Sequence, residues 1–502
     1  MENPLKEGMR LKRSVPANTL IILGATGDLT RRKLIPALFS LFQQNMLPSH
    51  FRIIAFARRP KTTDEFRKEL KSALLKNDDI SKDTPRLDQF FNLLEYFRGD
   101  FTTKEAYQNL VSHLAEPDNH FPQNHLFYLA TPPSVYETII KHLGKAGLAN
   151  QNNGWSRIII EKPFGNDLSS ARKLANVVST HFRENQVYRI DHYLGKETVQ
   201  NLLVFRFANS IFEPIWNRRY VDHVQITMAE NIGMEGRGKF YHKVGILRDI
   251  MQNHMMQLLT LVGMEPPSSF EANAVRDEKV KVLRAVQPMS PDDVSEQVVR
   301  GQYTAGTLWG ESMPGFHEEE GVPEDSPTET FVAVQLYVHN WRWAGVPFYL
   351  RTGKRLPKRV TEIAISFKNA PLRIFDKDEK DIPSNVLTLN IQPDEGISLK
   401  FDSKVPGPSG IIRPVTMDFR YGTSFGHKTP EAYERLLQDS MVGDPTLFTR
   451  ADESDMAWQI MSPVLTNWQQ QDGSLPKYKA GTWGPKEADD LLAQRGHHWR
   501  RL

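Results

Sequence analysis

Short apolar runs that alternate with helical patterns constrain the fold of this chain more than any other feature. The runs occupy residues 18–23, 52–57, 125–130 and 157–160. Helical patterns follow the first two runs, at residues 31–43 and 63–75. Strands that are apolar along their whole length are typical of a parallel sheet covered by helices on both faces. The sequence therefore predicts a doubly wound α/β domain over residues 15–190.

The pattern changes beyond residue 190. Residues 224–228, 387–391, 397–401 and 415–419 alternate apolar with polar side chains, which is the period of a strand with one face in water. Strands of this kind usually pair antiparallel. Helices are predicted at 243–261 and from a cap at Thr429 and Pro430 to Gly443, and a loop is predicted at 311–328. Residues 191–502 are therefore predicted to form an α+β domain with a large, mainly antiparallel sheet.

The composition excludes several classes of protein. The 502 residues carry a net charge of +3, with 60 acidic residues among the basic ones, which argues against a nucleic-acid partner. The chain contains no Cys, which excludes disulfides and thiolate chemistry and predicts a protein of the reducing cytoplasm. The first fifteen residues lack an apolar signal core, and no stretch approaches the ~20 apolar residues that span a bilayer. Neither a standard secretion signal nor a membrane partner is predicted.

A glycine turn follows the first apolar run. Gly24 and Gly27 would let the backbone approach a pyrophosphate at the start of a helix, as in Rossmann-like dinucleotide-binding domains. The spacing differs from G-x-G-x-x-G, and position 29 is Leu. A tight strand-to-helix turn without a ligand is the alternative.

Two arginines end the second run. An NAD-selective fold would carry an acidic residue there to accept the ribose 2′-hydroxyl, whereas this chain has Arg58 and Arg59. Guanidinium groups suit a 2′-phosphate, so the sequence predicts NADP rather than NAD. A solvated pair of arginines on a loop is the alternative interpretation.

A lysine ends the last apolar run. Lys162 precedes Pro163, which favours an extended backbone at the carboxyl edge of the parallel sheet, where α/β proteins bind ligands. Its ammonium could bind substrate oxygens or a phosphate. A solubilising lysine at a strand end explains the segment equally well.

The nine residues RIDHYLGKE at 189–197 bring an acid, an imidazole, a phenol and an ammonium into one turn that opens a helix. His192, Tyr193 and Lys196 are donors suited to a phosphate dianion. Asp191 would repel a phosphate and is better suited to orienting an imidazole from elsewhere. A solvated turn with a surface ion pair is the alternative.

An imidazole also occurs on the helix predicted at 243–261. Histidine can accept a proton from a hydroxyl near neutral pH, so His254 is a candidate base. A satisfied core histidine is the commoner situation on a Met-rich helix face. Asp249 lies five residues earlier, about 140° around an α-helix, so the spacing alone does not make the two residues partners.

Five segments together resemble one enzyme family. GATGDLTRRKLIP, EKPFG, RIDHYLGKE, GRGKFYHKVGILRDIMQNHMMQ and GVPFYLRTGKRL occur in the order and register found in glucose-6-phosphate dehydrogenases. The resemblance runs from about Thr19 to the C-terminal region. It implies oxidation of glucose 6-phosphate at C1 to 6-phosphoglucono-1,5-lactone with hydride transfer to NADP, the first step of the pentose phosphate pathway, without a metal.

The resemblance also implies roles for individual residues. His254 would be the general base and Asp191 the carboxylate that orients it, while His192, Tyr193 and Lys196 would hold the phosphate. The remaining substrate positions would be Lys162, Glu230, Asp249, Lys354 and Arg359. The cofactor positions would be Gly24, Thr26, Gly27, Asp28, Leu29, Lys33, Arg58 and again Lys162.

The family also implies a homodimer or homotetramer. Animal members carry a second, structural NADP site that uses basic residues after the Lys354 region. This chain has Val360 and Ala364 there, so that site is predicted to be absent or altered. Another sugar or polyol dehydrogenase remains an alternative function, and a non-catalytic sugar-phosphate sensor is a second one.

Overall fold

The structure is a computed structural model that describes residues 15–76, 84–117, 120–372, 384–407, 411–425, 431–470 and 475–502. The strands are β1 (Asn18–Leu23), β2 (Phe51–Ala57), β3 (Leu94–Arg98), β4 (His125–Leu129), β5 (Ser156–Glu161), β6 (Val187–Ile190), β7 (Val221–Ala229), β8 (Val298–Thr304), β9 (Gly306–Leu308), β10 (Glu311–Met313), β11 (Phe331–Tyr337), β12 (Pro347–Gly353), β13 (Val360–Phe367), β14 (Val386–Gln392), β15 (Gly396–Lys404), β16 (Ile412–Arg420), β17 (Phe448–Thr449) and β18 (Lys477–Lys479).

The α-helices span Ile35–Gln43, Thr63–Leu75, Thr84–Asn92, Lys104–Ala115, Tyr136–Lys145, Leu168–His181, Glu197–Phe207, Gly238–Tyr241, Met256–Gly263, Ala272–Ala285, Pro291–Gln297, Tyr421–Phe425, Ala432–Val442, Ala451–Gln470 and Lys486–Ala493. Two π-helical segments span Thr30–Leu34 and Leu247–Met255. Among the described residues, no helix combines the length and apolarity needed to cross a lipid bilayer.

The chain divides into two compact units. The first contains the described parts of Met1–Gly195, Pro267–Asp277 and Pro430–Asp455, and the second contains those of Lys196–Pro266, Glu278–Thr429 and Met456–Leu502.

A parallel sheet forms the centre of the first unit. Its strands lie in the order β3-β2-β1-β4-β5-β6, all parallel, and β17 adds an antiparallel edge. Strands β1 and β2 are almost completely buried along their length because helices cover both faces. The predicted doubly wound fold is confirmed. The strand order reverses between β1 and β4, and in open α/β sheets ligands bind outside the carboxyl ends of the strands at such a reversal.

The second unit contains a nine-stranded sheet in the order β16-β15-β14-β13-β7-β12-β11-β8-β18. Most neighbours pair antiparallel, which confirms the predicted large antiparallel sheet. The expectation of antiparallel pairing fails for β7, which pairs parallel with β12 on one side and antiparallel with β13 on the other. Strands β11, β12 and β13 are buried on both faces and therefore lack the alternation that reveals a half-exposed strand.

Four predicted elements differ from the structure. The helix expected at 243–261 is a π-helix over Leu247–Met255 followed by an α-helix, and the helix expected at 31–43 likewise begins with a π-helical segment. The loop expected at 311–328 contains β10, which pairs with β9. The expected caps Thr429 and Pro430 lie outside the described residues, and Glu431 is the N-cap of the helix Ala432–Val442. Gly443 ends that helix with φ +95, as expected.

Candidate functional site

The glycine turn lies at the strand reversal of the first unit. Gly24 has φ +89, and a Cβ there would lie 2.6 Å from the carbonyl oxygen of Ala130, just beyond β4. Glycine is therefore required both by the backbone conformation and by the close approach of the β4 segment. The amide of Gly24 donates to the carbonyl of Phe56 (2.9 Å), and that of Gly27 donates to the carbonyl of Gly24 (2.9 Å). The turn is thus held to β2 as well as following β1.

The other predicted cofactor residues lie near this turn. Thr26 and Leu29 are half-buried within it, and exposed Asp28 pairs with Arg32 at 2.9 Å. Lys33 extends from the π-helical segment, and its ammonium contacts both carboxylate oxygens of Glu431 (3.0 and 3.1 Å). Both members of that pair are about half exposed, so water screens the interaction.

Arg58 lies directly after β2, at the same carboxyl edge of the sheet as the glycine turn. Its side chain is exposed, and its guanidinium lies 5.4 Å from the centroid of the Phe101 ring. Hydrogen bonds from Thr102 hold the pKa of Asp100 below its ordinary value, and the nearby Arg58 charge lowers it further. The structure thus places an exposed cation where the sequence predicted one.

Lys162 follows β5 and is half-buried. The residue before it, Glu161, was missed by the sequence analysis. One Glu161 carboxylate oxygen accepts hydrogen bonds from the hydroxyls of Tyr128 (2.5 Å) and Tyr433 (3.2 Å). Burial raises the pKa of Glu161, and these hydrogen bonds together with the Lys162 charge oppose that rise. The end of β5 is therefore anchored by a half-buried, hydrogen-bonded carboxylate next to the candidate lysine.

Asp191 begins the turn after β6 and is 2% exposed. Its Oδ1 accepts a hydrogen bond from the backbone amide of Tyr193 (2.9 Å), and its carbonyl accepts one from the amide of Leu194 (3.0 Å). The rings of His192 and Tyr193 pack with centroids 5.1 Å apart. These contacts form a compact turn with a buried carboxylate, rather than the solvated turn that was the alternative.

Lys196 belongs to the second unit, where it is the N-cap residue of the helix Glu197–Phe207. Its ammonium donates to Oε1 of Gln392 (2.8 Å), and Nε2 of Gln392 donates to Thr361 (3.0 Å). Gln392 ends β14 and was also missed by the sequence analysis, because nothing in the local sequence links it to position 196. Its amide fixes the direction of the Lys196 side chain.

Parallel pairing of β7 and β12 brings two further candidates together. Glu230 and Lys354 directly follow these two strands, so both lie at the carboxyl ends of neighbouring strands. Their side chains form a 2.6 Å ion pair, and Lys354 is 3% exposed. Arg359 is exposed and precedes β13, whose first residue pairs with the last residue of β7. All three therefore lie at the same end of the central strands of the large sheet.

The π-helix Leu247–Met255 carries the other two candidates. His254 is 2% exposed, and Asp249 is half-buried. Backbone hydrogen bonds in a π-helix join residues five apart, so the predicted separation of about 140°, which assumed an α-helix, is wrong here. π-Helical segments occur frequently at functional sites.

A buried acid caps this π-helix. Oε1 of Glu329 accepts a hydrogen bond from the backbone amide of Leu247 (3.0 Å), and the Glu329 carbonyl accepts one from Ile246 (3.2 Å). Burial raises the pKa of Glu329. Glu329 is 82 residues away from Leu247 in the chain, so no local pattern could predict the contact.

A second polar cluster lies at the other end of β7. One ligand atom from each of Asp222, His223 and His497 lies within 4.8 Å of the others, as in some metal sites. Oε1 of Gln225 accepts from the amide of Arg500, which turns Nε2 of Gln225 towards Nε2 of His223. Nε2 of His223 must then accept, so Nδ1 carries the proton and donates to Asp222 (2.7 Å). A protonated Nδ1 has no lone pair to offer a metal, so this hydrogen-bond pattern does not fit a metal ion bound at Nδ1 of His223.

Comparison with known proteins gives one family. Residues 21–201 match the model described as glucose-6-phosphate dehydrogenase, NAD binding domain, and residues 203–500 match the C-terminal domain of the same family. The glucose-6-phosphate 1-dehydrogenases of Chlamydia pneumoniae and Aggregatibacter actinomycetemcomitans are each 48% identical to this chain. The alignments cover 100% of both chains for the first, and 96% of this chain and 97% of the relative for the second.

A solved glucose-6-phosphate dehydrogenase in complex with its substrate glucose-6-phosphate has the same fold. The two structures superpose with a TM-score of 0.87 at 37% identity, over 97% of this chain and 99% of the other. The chain belongs to the glucose-6-phosphate dehydrogenase family.

Proposed function

We propose that the protein oxidises glucose 6-phosphate at C1 to 6-phosphoglucono-1,5-lactone and passes the hydride to NADP, the first step of the oxidative pentose phosphate pathway. The observation that carries this conclusion is the full-length similarity to glucose-6-phosphate 1-dehydrogenases, which includes both domains. The buried polar residues at the strand ends of each unit are consistent with it.

In the proposed reaction, His254 takes the proton of the C1 hydroxyl. The electron pair of that O–H bond then forms the carbonyl as the C1–H bond breaks, and hydride passes to C4 of the nicotinamide. A base of this kind contributes about 10²–10⁴ in rate. Asp191, which the family resemblance pairs with the base, would favour the imidazolium and select its tautomer.

The substrate is held by two sets of residues in this proposal. His192, Tyr193 and Lys196 bind the phosphate, which supplies binding energy remote from the reacting carbon. The sugar is bound or positioned by Lys162, Glu230, Asp249, Lys354 and Arg359. Support comes from the second unit, where Glu230, Lys354 and Arg359 lie at the same end of neighbouring strands. In the same unit, Gln392 orients the Lys196 ammonium.

The cofactor is proposed to be NADP, held by the glycine turn with Gly24, Thr26, Gly27, Asp28 and Leu29, and by Lys33, Arg58 and Lys162. The position of this turn supports the proposal, because it follows β1 where the strand order reverses, and ligands of open α/β sheets bind at such a reversal. The exposed guanidinium of Arg58 and the lack of an acidic residue directly after β2 support the 2′-phosphate.

Arg58→Ala should weaken NADP binding about tenfold or more while changing NAD binding little, because only NADP carries the 2′-phosphate that the guanidinium would contact. KM values for both cofactors at saturating glucose 6-phosphate measure the effect. Arg219→Ala removes the same charge from an exposed position of the second unit and should change neither value. Equal losses for the two cofactors in Arg58→Ala would assign the 2′-phosphate to other residues.

An assay that crosses glucose and glucose 6-phosphate with NAD and NADP tests the proposed function. Absorbance at 340 nm should rise with glucose 6-phosphate and NADP, and far less with free glucose. Equal rates on the free and phosphorylated sugars would favour another sugar dehydrogenase. Binding of glucose 6-phosphate without reduction of either cofactor would favour a non-catalytic sensor.

We also infer a homo-oligomer, as a dimer or a tetramer. Strand β16 forms one edge of the large sheet, and Val415 and Met417 on its same face are 40% and 63% exposed. Leu399 and Phe401 lie opposite them on β15 and are only half-buried. An apolar face on an edge of a sheet is suited to contact with a second copy of the chain.

Met417→Glu should increase the monomer fraction by placing a carboxylate on this apolar face, which would have to be desolvated on association. Sedimentation velocity over a range of protein concentrations measures the change. Thr416→Glu introduces the same group on the opposite face of the same strand and should leave the assembly largely intact. Identical behaviour of the two variants would remove this face from the proposed interface.

A further inference from the structure

Tyr241 has a buried hydroxyl that the fold leaves without a hydrogen bond. The residue ends the short helix Gly238–Tyr241 and is 5% exposed. Its hydroxyl oxygen is inaccessible to solvent and forms no hydrogen bond with any described residue. A buried hydroxyl in this state destabilises the folded protein. Phenylalanine could fill the same space without that cost, so packing alone does not explain the hydroxyl.

The groups around Tyr241 are residues assigned above to the sugar. The Lys354 ammonium lies 4.9 Å from the centroid of the Tyr241 ring, and the same ammonium is paired with Glu230. The charge of Asp249 also acts on the phenol, because it raises the pKa of Tyr241. Tyr241 therefore lies within the set of polar groups at this end of β7 and β12, although no local sequence pattern marks it.

The electrostatic environment keeps the phenol neutral. Burial raises the pKa of Tyr241 well above its ordinary value, and the negative charges of Asp249, Glu329 and Glu230 raise it further. A neutral phenol retains its O–H, which can donate one hydrogen bond. The carboxylates of Glu230 and Asp249 can only accept hydrogen bonds, and the Lys354 ammonium is a charged donor. Tyr241 adds a neutral donor to this cluster.

We propose that Tyr241 is a substrate-binding residue whose hydroxyl, covered in this structure, is uncovered when the sugar phosphate binds and then donates a hydrogen bond to one of its hydroxyls, beside Lys354, Glu230 and Asp249. This inference rests on the proposed function. A bound sugar supplies the acceptor that the protein lacks, so the cost of the buried hydroxyl is relieved only in the complex. Tyr241 then contributes to selection among sugar phosphates that differ at that hydroxyl.

Tyr241→Phe removes only the hydroxyl and tests the proposal. KM for glucose 6-phosphate should rise about 3- to 10-fold, and kcat and the KM for NADP should change less than about twofold. The dissociation constant of glucose 6-phosphate, measured by calorimetry, should rise by the same factor. The melting temperature should stay the same or rise, because an unsatisfied buried group has been removed. Deoxy analogues of the substrate should identify the sugar hydroxyl that Tyr241 contacts. The analogue that lacks this hydroxyl should bind Tyr241→Phe and the unaltered protein equally.

Tyr349→Phe is the matched control. Tyr349 is a fully buried tyrosine of the same unit, and its hydroxyl is hydrogen-bonded to Nδ1 of His497 (2.9 Å). Its loss should lower the melting temperature and leave the KM for glucose 6-phosphate unchanged. An unchanged KM and dissociation constant in Tyr241→Phe would overturn the assignment. If the unaltered protein bound glucose 6-phosphate but reduced no NADP, the proposed function would fail, and the calorimetric comparison would still decide the role of Tyr241.

Discussion

Replacing His254 with asparagine is expected to lower kcat for glucose 6-phosphate oxidation at least about 100-fold, with little change in KM. Asparagine keeps a polar side chain of similar size at this buried position, but it cannot accept the proton of the C1 hydroxyl near neutral pH. The lost factor should therefore appear in the chemical step rather than in binding. Steady-state kinetics at saturating NADP measure both parameters.

His223→Asn provides the control for the His254 variant. His223 is also a buried histidine of the second unit, but it lies near the start of β7 and is hydrogen-bonded to Asp222, so its loss should leave kcat within about twofold. Asp191→Asn should lower kcat as well, and adding it to His254→Asn should cause no further loss, since we propose that Asp191 acts through His254. A nearly normal kcat in His254→Asn would exclude this histidine as the base.

The second large effect is expected for Lys196→Thr, which should raise the KM for glucose 6-phosphate about 10- to 100-fold. A hydrogen bond from an ammonium to a charged group contributes about 1.5–3 kcal/mol. Threonine has neither the charge nor the length of the lysine side chain. In the structure Gln392 holds the Lys196 ammonium in one direction, so the group is positioned before the substrate binds. Initial rates over a range of substrate concentrations measure the KM.

The rate with free glucose shows whether Lys196 acts on the substrate phosphate or on the reaction in general. Because glucose lacks the phosphate, its weak oxidation should be equally slow in Lys196→Thr and in the unaltered protein. Lys404→Thr removes the same charge from the exposed end of β15, where Lys404 donates to the carbonyl of Gly407, and should not alter the KM. A Lys196→Thr protein with the original KM for glucose 6-phosphate would show that other residues hold the phosphate.

Four strands and two helices of the first unit could be predicted because their signals are local. Residues 18–23 and 63–75 agree with β1 and the helix Thr63–Leu75 to the residue, since an apolar run and a periodic helix flanked by caps are both visible in a short window. Strands β11 to β13 could not be predicted, because burial on both faces removes the alternation on which the prediction depended.

The candidate site could be predicted only in part for a related reason. Gly24 and Lys162 follow apolar strands, so their positions can be read from the local pattern. The ion pair of Glu230 with Lys354 depends on β7 and β12 being parallel neighbours, although 124 residues separate the two side chains in sequence. Glu329 and Gln392 depend in the same way on contacts between distant segments. Such pairs require the sheet order, which a single sequence does not contain.

The π-helical segments could not be predicted from the sequence for a different reason. One follows the glycine turn, and the other carries Asp249 and His254. A π-helix and an α-helix present similar apolar patterns over nine residues and differ in which backbone groups are bonded. The sequence could therefore indicate a helix around His254 but not its hydrogen-bond register.

Transfer of isotope from the substrate to the cofactor tests the central claim most directly. The protein is incubated with NADP and glucose 6-phosphate that carries deuterium at C1, and the mass of the reduced cofactor is measured. Hydride transfer from C1 predicts that each reduced cofactor molecule carries one deuterium and that 6-phosphogluconolactone or its hydrolysis product accumulates in equal amount. Reduced cofactor without deuterium, or no reduced cofactor at all, would contradict the assigned reaction.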